Sequence, residues 1–436
     1  MALCLKKVKT GYVVPKFSIL LKLYIEKSSY EFCMLFATTI AMNIYSILVL
    51  LVCLVSFLVC IWIVIPAPIF SLLPLSVGAP EISPWLLVIN AVIAIGLTLA
   101  IAQKQSGWVF RLALCLSVAA LILSALPLAQ YPQARKNADQ VMAIVLGNDS
   151  LNAPKVNASK IRSQPFILAD VFRGIALSPV RETLDIPFAN PNGVTLTMNV
   201  YRPIDAGNYP AIVMIYGGAW QRGDPYQNAM FSRYMANQGY VVWTISYRHA
   251  PTYQFPSQIE DVRSALEFIK QHAIEYETDL NRVAIMGRSA GAQLASLAAY
   301  NPSPIAFRAV VNYYGPVNLT AGYYDVPNPD PIGSRSVLTA FLGGTPDEKG
   351  AEYFSASPLN SVQPNLPPSL LIYGVGDHIV MSKFGNRLAQ ALEAQQNKVV
   401  FIEIPWADHA FDAVFQGVSN QFALYYTERF LAWALR

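Results

Sequence analysis

A chain of 436 residues that is 54% hydrophobic and only 13% charged lies well below the roughly 25% charged content of an average soluble domain. The apolar excess sits in the first third, which excludes an evenly composed water-soluble chain and points to a membrane part followed by a globular part. A net charge of +4, with no run of Lys and Arg interleaved with aromatics, argues against nucleic acid as a partner.

Residues 1–43 form a leader carrying Lys6, Lys7, Lys9, Lys16, Lys22 and Lys27. A helix needs about 20 mostly apolar residues to cross the hydrocarbon core, and the region 44–126 offers three such runs, at 44–65, 85–102 and 108–126. Arg111, the one charge in the third run, lies near its end, where a long side chain reaches the headgroups. Trp85 and Trp108 stand at expected interfaces. The basic leader, the Lys-free joint at 66–84 and Lys104 in the second joint place the leader in the cytoplasm and the chain beyond the third span on the non-cytoplasmic side. Met42 is an alternative start that would delete most of that positive leader. All five cysteines (Cys4, Cys33, Cys53, Cys60, Cys115) fall in this part, where they read as small buried hydrophobes. The mixed stretch 127–177 reads as a linker, partly helical at best.

From 178 to 436 apolar strands alternate with helical segments. Strands are expected at 194–201, 211–216, 240–246, 283–286, 309–314, 369–373 and 399–404. Helices are expected at 226–238, 257–272, 290–300, about 383–396 and at the C-terminus. Repeated β-α-β units with buried apolar strands argue for an α/β fold, a mostly parallel sheet with helices on both faces. The Pro-, Gly- and Tyr-rich stretch 318–367 separates two strands and is a candidate cap over a pocket.

Between a strand and a helix stands Gly287-Arg288-Ser289-Ala290-Gly291, a G-x-S-x-G sequence. A sharp strand-to-helix turn leaves no room for side chains two residues either way, and it presents the serine hydroxyl at a helix N-terminus. Ser289 is therefore the candidate nucleophile. Tyr216-Gly217-Gly218-Ala219-Trp220 directly follows an apolar strand, so backbone N–H groups of Gly217, Gly218 and Ala219, with that of Ala290, are candidates for holding a developing oxyanion. Of four histidines, His409 follows the last strand and precedes the final helix, where a general base belongs. His249 and His272 read as structural. Asp377, just after the strand at 369–373, is the acid expected to fix the imidazole tautomer; Asp408 and Asp412 are its rivals by nearness to His409. Arg288 is either a surface residue or a group favouring an anionic substrate.

The set Gly217-Gly218-Ala219-Trp220, Tyr247-Arg248-His249-Ala250-Pro251 with Phe255-Pro256, Glu260-Asp261-Val262, the serine turn, Gly374…Asp377…Val380 and Asp408-His409 resembles the α/β-hydrolase superfamily. The match is to its esterase branch, related to hormone-sensitive lipase and feruloyl-esterase-like domains, from about Pro179 onward. The resemblance covers none of the membrane part; behind the about three transmembrane helices read from hydropathy, it implies an α/β-hydrolase fold and hydrolysis of carboxylic esters through an acyl-enzyme with no metal or organic cofactor. Partners would be a small-molecule or lipid-like ester and the lipid bilayer. The family usually writes His-Gly-Gly where this chain has Tyr216, so the loop must be supported differently. Two alternatives remain: a peptidase or amidase on the same fold, and a non-catalytic membrane interaction protein on a hydrolase scaffold.

Overall fold

The computed structural model describes residues 15–103, 107–151 and 161–436. Lys6, Lys7 and Lys9 of the leader and Lys104 of the second joint lie outside them. The N-terminal part contains α1 (Pro15–Cys60), α2 (Leu73–Glu81), α3 (Ser83–Ala102), α4 (Trp108–Leu146) and α5 (Leu168–Arg173). Among the described residues three helices are long and apolar enough to cross a membrane, Ile44–Ile63, Ser83–Ala102 and a window of Trp108–Leu146. Val88, Val92, Ile95 and Leu99 of α3 are exposed at three- and four-residue spacing, an apolar face with no protein against it. Inside the bundle Asn90 ties the helices. Its side chain accepts from the Ser56 hydroxyl at 2.9 Å and its carbonyl from Ser117 at 3.1 Å.

Two segments depart from the hydropathy reading. The third helix does not stop at residue 126. It runs through Pro127 and Pro132 to Leu146, so the expected linker 127–177 begins as helix. A proline inside a helix costs about 3 kcal/mol. The offset is packing, since Ala134, Ala138 and Met142 are buried in the core of the globular part, and Tyr131 packs on Phe166, Trp406 and Phe422. The leader, for its part, is helical from Pro15 onward and continuous with the first span.

The globular part comprises β1 (Arg181–Ala189), β2 (Leu196–Arg202), β3 (Tyr209–Ile215), α6 (Ala229–Asn237), β4 (Val241–Ile245), α7 (Ser257–Gln271), β5 (Thr278–Arg288), α8 (Ala290–Tyr300), β6 (Ala309–Tyr313), α9 (Leu319–Tyr324), α10 (Ser334–Leu342), α11 (Gly350–Ser355), β7 (Ser369–Gly374), α12 (Ser382–Ala394), β8 (Val399–Ile404) and α13 (Val418–Ala434). The strands form one sheet in the order β1-β2-β4-β3-β5-β6-β7-β8. β1 and β2 pair antiparallel, as do β2 and β4, and every other pair is parallel. The central strands are buried on both faces, as in Ala211–Ile215 and Val283–Met286, which is why they read as continuous apolar runs. β1 has no counterpart among the expected strands. It is an edge strand with no fully buried residue, and its burial leaves too little periodicity to read.

Candidate active site

Four loops at the C-terminal ends of parallel strands converge on one point, as ligand sites in open α/β sheets do. β5 ends at Arg288, and Ser289 turns the chain into α8 with φ 51° and ψ −123°, a left-handed backbone costly for a residue with a side chain. The flanking glycines allow it. A Cβ on Gly287 would collide with the Gly291 carbonyl, and one on Gly291 with the Ile215 carbonyl at the end of β3. The Ser289 N–H is held by the Tyr313 carbonyl at 2.9 Å.

The structure brings Ser289, His409 and Asp377 together. His409 Nε2 lies 2.9 Å from Ser289 Oγ, and His409 Nδ1 lies 2.8 Å from Asp377 Oδ2. The other carboxylate oxygen of Asp377 accepts the N–H groups of Ile379 and Val380, both at 2.8 Å. A carboxylate can only accept, so the imidazole proton sits on Nδ1 and Nε2 is free to accept from the serine hydroxyl. His409 and Asp377 are both buried, and the Tyr314 ring packs on the imidazole with centroids 4.5 Å apart.

The rival carboxylates are engaged elsewhere. Asp408 lies 3.0 Å from His378 Nδ1. Burial pulls the His378 pKa down, but the bond and charge of Asp408 outweigh it and leave the pKa raised. His378 Nε2 in turn accepts the N–H of Ala67, in the joint between the first two spans, at 3.1 Å. Asp412 accepts the Tyr314 hydroxyl and pairs with Arg288 Nε at 2.5 Å. Arg288 is thus no surface residue. It is mostly buried, bonded also to Asn228, and lies 5.3 Å over the Phe231 ring.

The Gly-rich loop after β3 is supported by aromatics. The Tyr216 hydroxyl lies 3.0 Å from His249 Nε2 and its ring stacks on Tyr247 at 4.6 Å, so tyrosine and His249 brace the loop together. Burial holds the His249 pKa below its usual value, which keeps the ring neutral beside the phenol. Further along, Ala219 and Trp220 take φ of 54° and 58°. Trp220 is fixed by Gln293 at 2.9 Å and stacks on Phe341 at 4.1 Å. Gly218, at φ 134°, has the Arg222 carbonyl where a Cβ would stand. Across the site Ala290 is the first residue of α8, where a helix N–H has no carbonyl a turn behind to bond.

Two cavities meet at Ser289. A narrow one of about 60 Å³ runs between Trp220 and the 318–367 excursion, lined by Ala219, Ala290, Val317, Leu319 and Leu338. A wide one of about 660 Å³ contains His409, Gly217, Gly218 and Arg288, and its far wall is Phe70, Leu73, Pro74 and Val77. These four come from the joint between the first two spans, which the sequence marks only as Pro-containing. One sign was available there: Ile69, Phe70, Leu72, Leu73 and Leu75 are too apolar for a solvated turn.

Comparison with known proteins shows what these features are similar to. Residues 198–392 match the BD-FAE family model, which takes in Ser289 and Asp377 and stops short of His409. The probable carboxylic ester hydrolase LipM of Mycobacterium tuberculosis is 30% identical over 219 residues, 47% of this chain and 50% of that protein. Esterase LipC of the same organism is 31% identical over 233 residues, 49% and 57% of the two chains. This chain therefore spans about half the length of the curated relatives it matches. Among solved structures, the propionate-bound esterase Est2 of Thermogutta terrifontis aligns at TM-score 0.48 and 24% identity, over 58% of this chain and 93% of that one. The globular part, from β1 to α13, has the α/β-hydrolase fold, and within it residues 198–392 are similar to the esterase branch.

Proposed function

We propose that the chain is a membrane-tethered serine hydrolase that cleaves carboxylic esters through an acyl-enzyme on Ser289. The observation that carries the reading is the pair of bonds from His409, 2.9 Å to Ser289 Oγ and 2.8 Å to Asp377. Its similar proteins include a probable carboxylic ester hydrolase and two esterases.

In this mechanism His409 Nε2 takes the Ser289 proton as Oγ attacks the ester carbonyl carbon. The carbonyl oxygen, now negative, is received by backbone N–H groups of the Gly217–Ala219 loop and of Ala290, where α8 adds its positive end. Asp377 holds the ring in its Nδ1–H tautomer and stabilises the imidazolium. His409 then gives the proton to the departing alkoxide, takes one from water in the second half-reaction, and returns it to Ser289 as the acid leaves. The three spans hold the enzyme at the bilayer, and the basic leader places the hydrolase part on the non-cytoplasmic side.

Ser289→Ala is expected to lower turnover of p-nitrophenyl acetate by about three to six orders of magnitude and to abolish labelling by a fluorophosphonate probe. Equal rates for the two forms would end the proposal.

A further inference from the structure

The two cavities that meet at Ser289 differ in the reacting groups they touch. The narrow one reaches Ala219 and Ala290 but not His409, and the wide one reaches His409. In acyl transfer the departing oxygen must receive its proton from the base, so the alcohol lies on the imidazole side and the acyl chain on the other. Resting on the serine-esterase reading, we propose that the substrate is a short-chain acyl ester of a bulky lipophilic alcohol. Its acyl group occupies the narrow cavity and its alcohol lies against the joint between the first two spans.

Size and chemistry both lead there. A water-sized group needs roughly 10–15 Å³, so the narrow cavity admits about four to six such groups, an acyl chain of no more than about six carbons. Trp220 is fixed on that side by its bond to Gln293 and its stacking on Phe341, which opposes enlargement. The wide cavity is about eleven times larger, 660 against 60 Å³. Its wall is apolar where the alcohol would lie, with Phe70, Leu73, Pro74 and Val77 facing Met230 and Phe415. Its two arginines are both engaged by the protein. Arg288 is paired with Asp412, and Arg222 lies 4.5 Å over the Phe70 ring.

The joint that forms this wall leaves one membrane-spanning helix and enters the next. In a three-span bundle it shares a side of the bilayer with the hydrolase part whichever way the bundle is inserted. Ile69 and Phe70 remain exposed on it. An alcohol with an apolar tail can therefore keep that tail in lipid while its ester reaches Ser289.

The test uses the full chain in detergent micelles and two isomers of equal formula, dodecyl acetate and ethyl dodecanoate, with p-nitrophenyl acetate as reference. The expected result is a kcat/KM at least about tenfold higher for dodecyl acetate, the scale of discrimination a filled apolar pocket provides. Phe70→Ala should shrink that ratio several-fold through KM for dodecyl acetate; because a misfolded fraction lowers both rates together, the ratio reports on the wall alone. A ratio of one or below, or one that Phe70→Ala leaves unchanged, overturns the inference while Ser289-dependent turnover of p-nitrophenyl acetate keeps the esterase reading intact. Absence of that turnover removes both.

Discussion

Beside the serine, a second group of side chains holds the turn that presents it. Arg288, one residue before Ser289, reaches Asp412, and the Tyr314 hydroxyl bonds the same carboxylate while its ring packs on His409. The ion pair thus fastens the loop of His409 to the turn of Ser289. Truncating one partner of a buried pair leaves the other charge uncompensated, at a cost of about 3–5 kcal/mol. Arg288→Ala should therefore lower the thermal midpoint by several degrees, and Arg288→Ala with Asp412→Ala together should lose less than the sum of the two singly. Additive losses would mean the pair does not act as a unit. The residues proposed for the chemistry were legible because strand, turn and helix geometry dictates their local spelling. Arg288 was not, since its partner lies on another loop and no local pattern announces a contact between two strand ends.

At the scale of elements, α2 is joined to the hydrolase part through Glu81. The Glu81 carboxylate accepts the Ser419 N–H at 2.9 Å at the start of α13, and it is fully buried. Burial pushes its pKa from 4.5 up to about 8, with the Ser419 bond opposing. The folded state therefore keeps a proton that the unfolded chain releases near pH 4.5. That term is most favourable below about 4.5 and is lost progressively up to about 8, at on the order of 1.4 kcal/mol per pH unit. Glu428, buried and pushed up to about 7, adds a slope of the same sign. Glu81→Gln keeps an acceptor for Ser419 and removes the titration. Its gain in thermal midpoint over the natural chain should be larger at pH 8 than at pH 5, and an equal gain at both would contradict the assignment. The buried strands of the sheet were readable from their apolar runs. β1 was not, being an exposed edge, nor was the length of α4, because hydropathy ends at residue 126 while tertiary packing carries the helix past two prolines to Leu146.

For the whole molecule, the three apolar helices and the α/β sheet are linked at several places. Besides Glu81, the Ala67 N–H reaches His378, and the Trp85 indole donates at 3.1 Å to the Val171 carbonyl in α5, which leads into the sheet. With the outward apolar face of α3, this arrangement predicts that the full chain stays in the membrane fraction through an alkaline carbonate wash and leaves it only with detergent. Release by carbonate alone would argue against spanning helices.

The unbroken course of α4 has a mechanical consequence. At 1.5 Å per residue its 39 residues measure about 58 Å, with one end among the apolar helices and the other in the core of the globular part. In the membrane-tethered reading proposed above, the residue count along this one helix sets the height and heading of the globular part, at about 100° per residue.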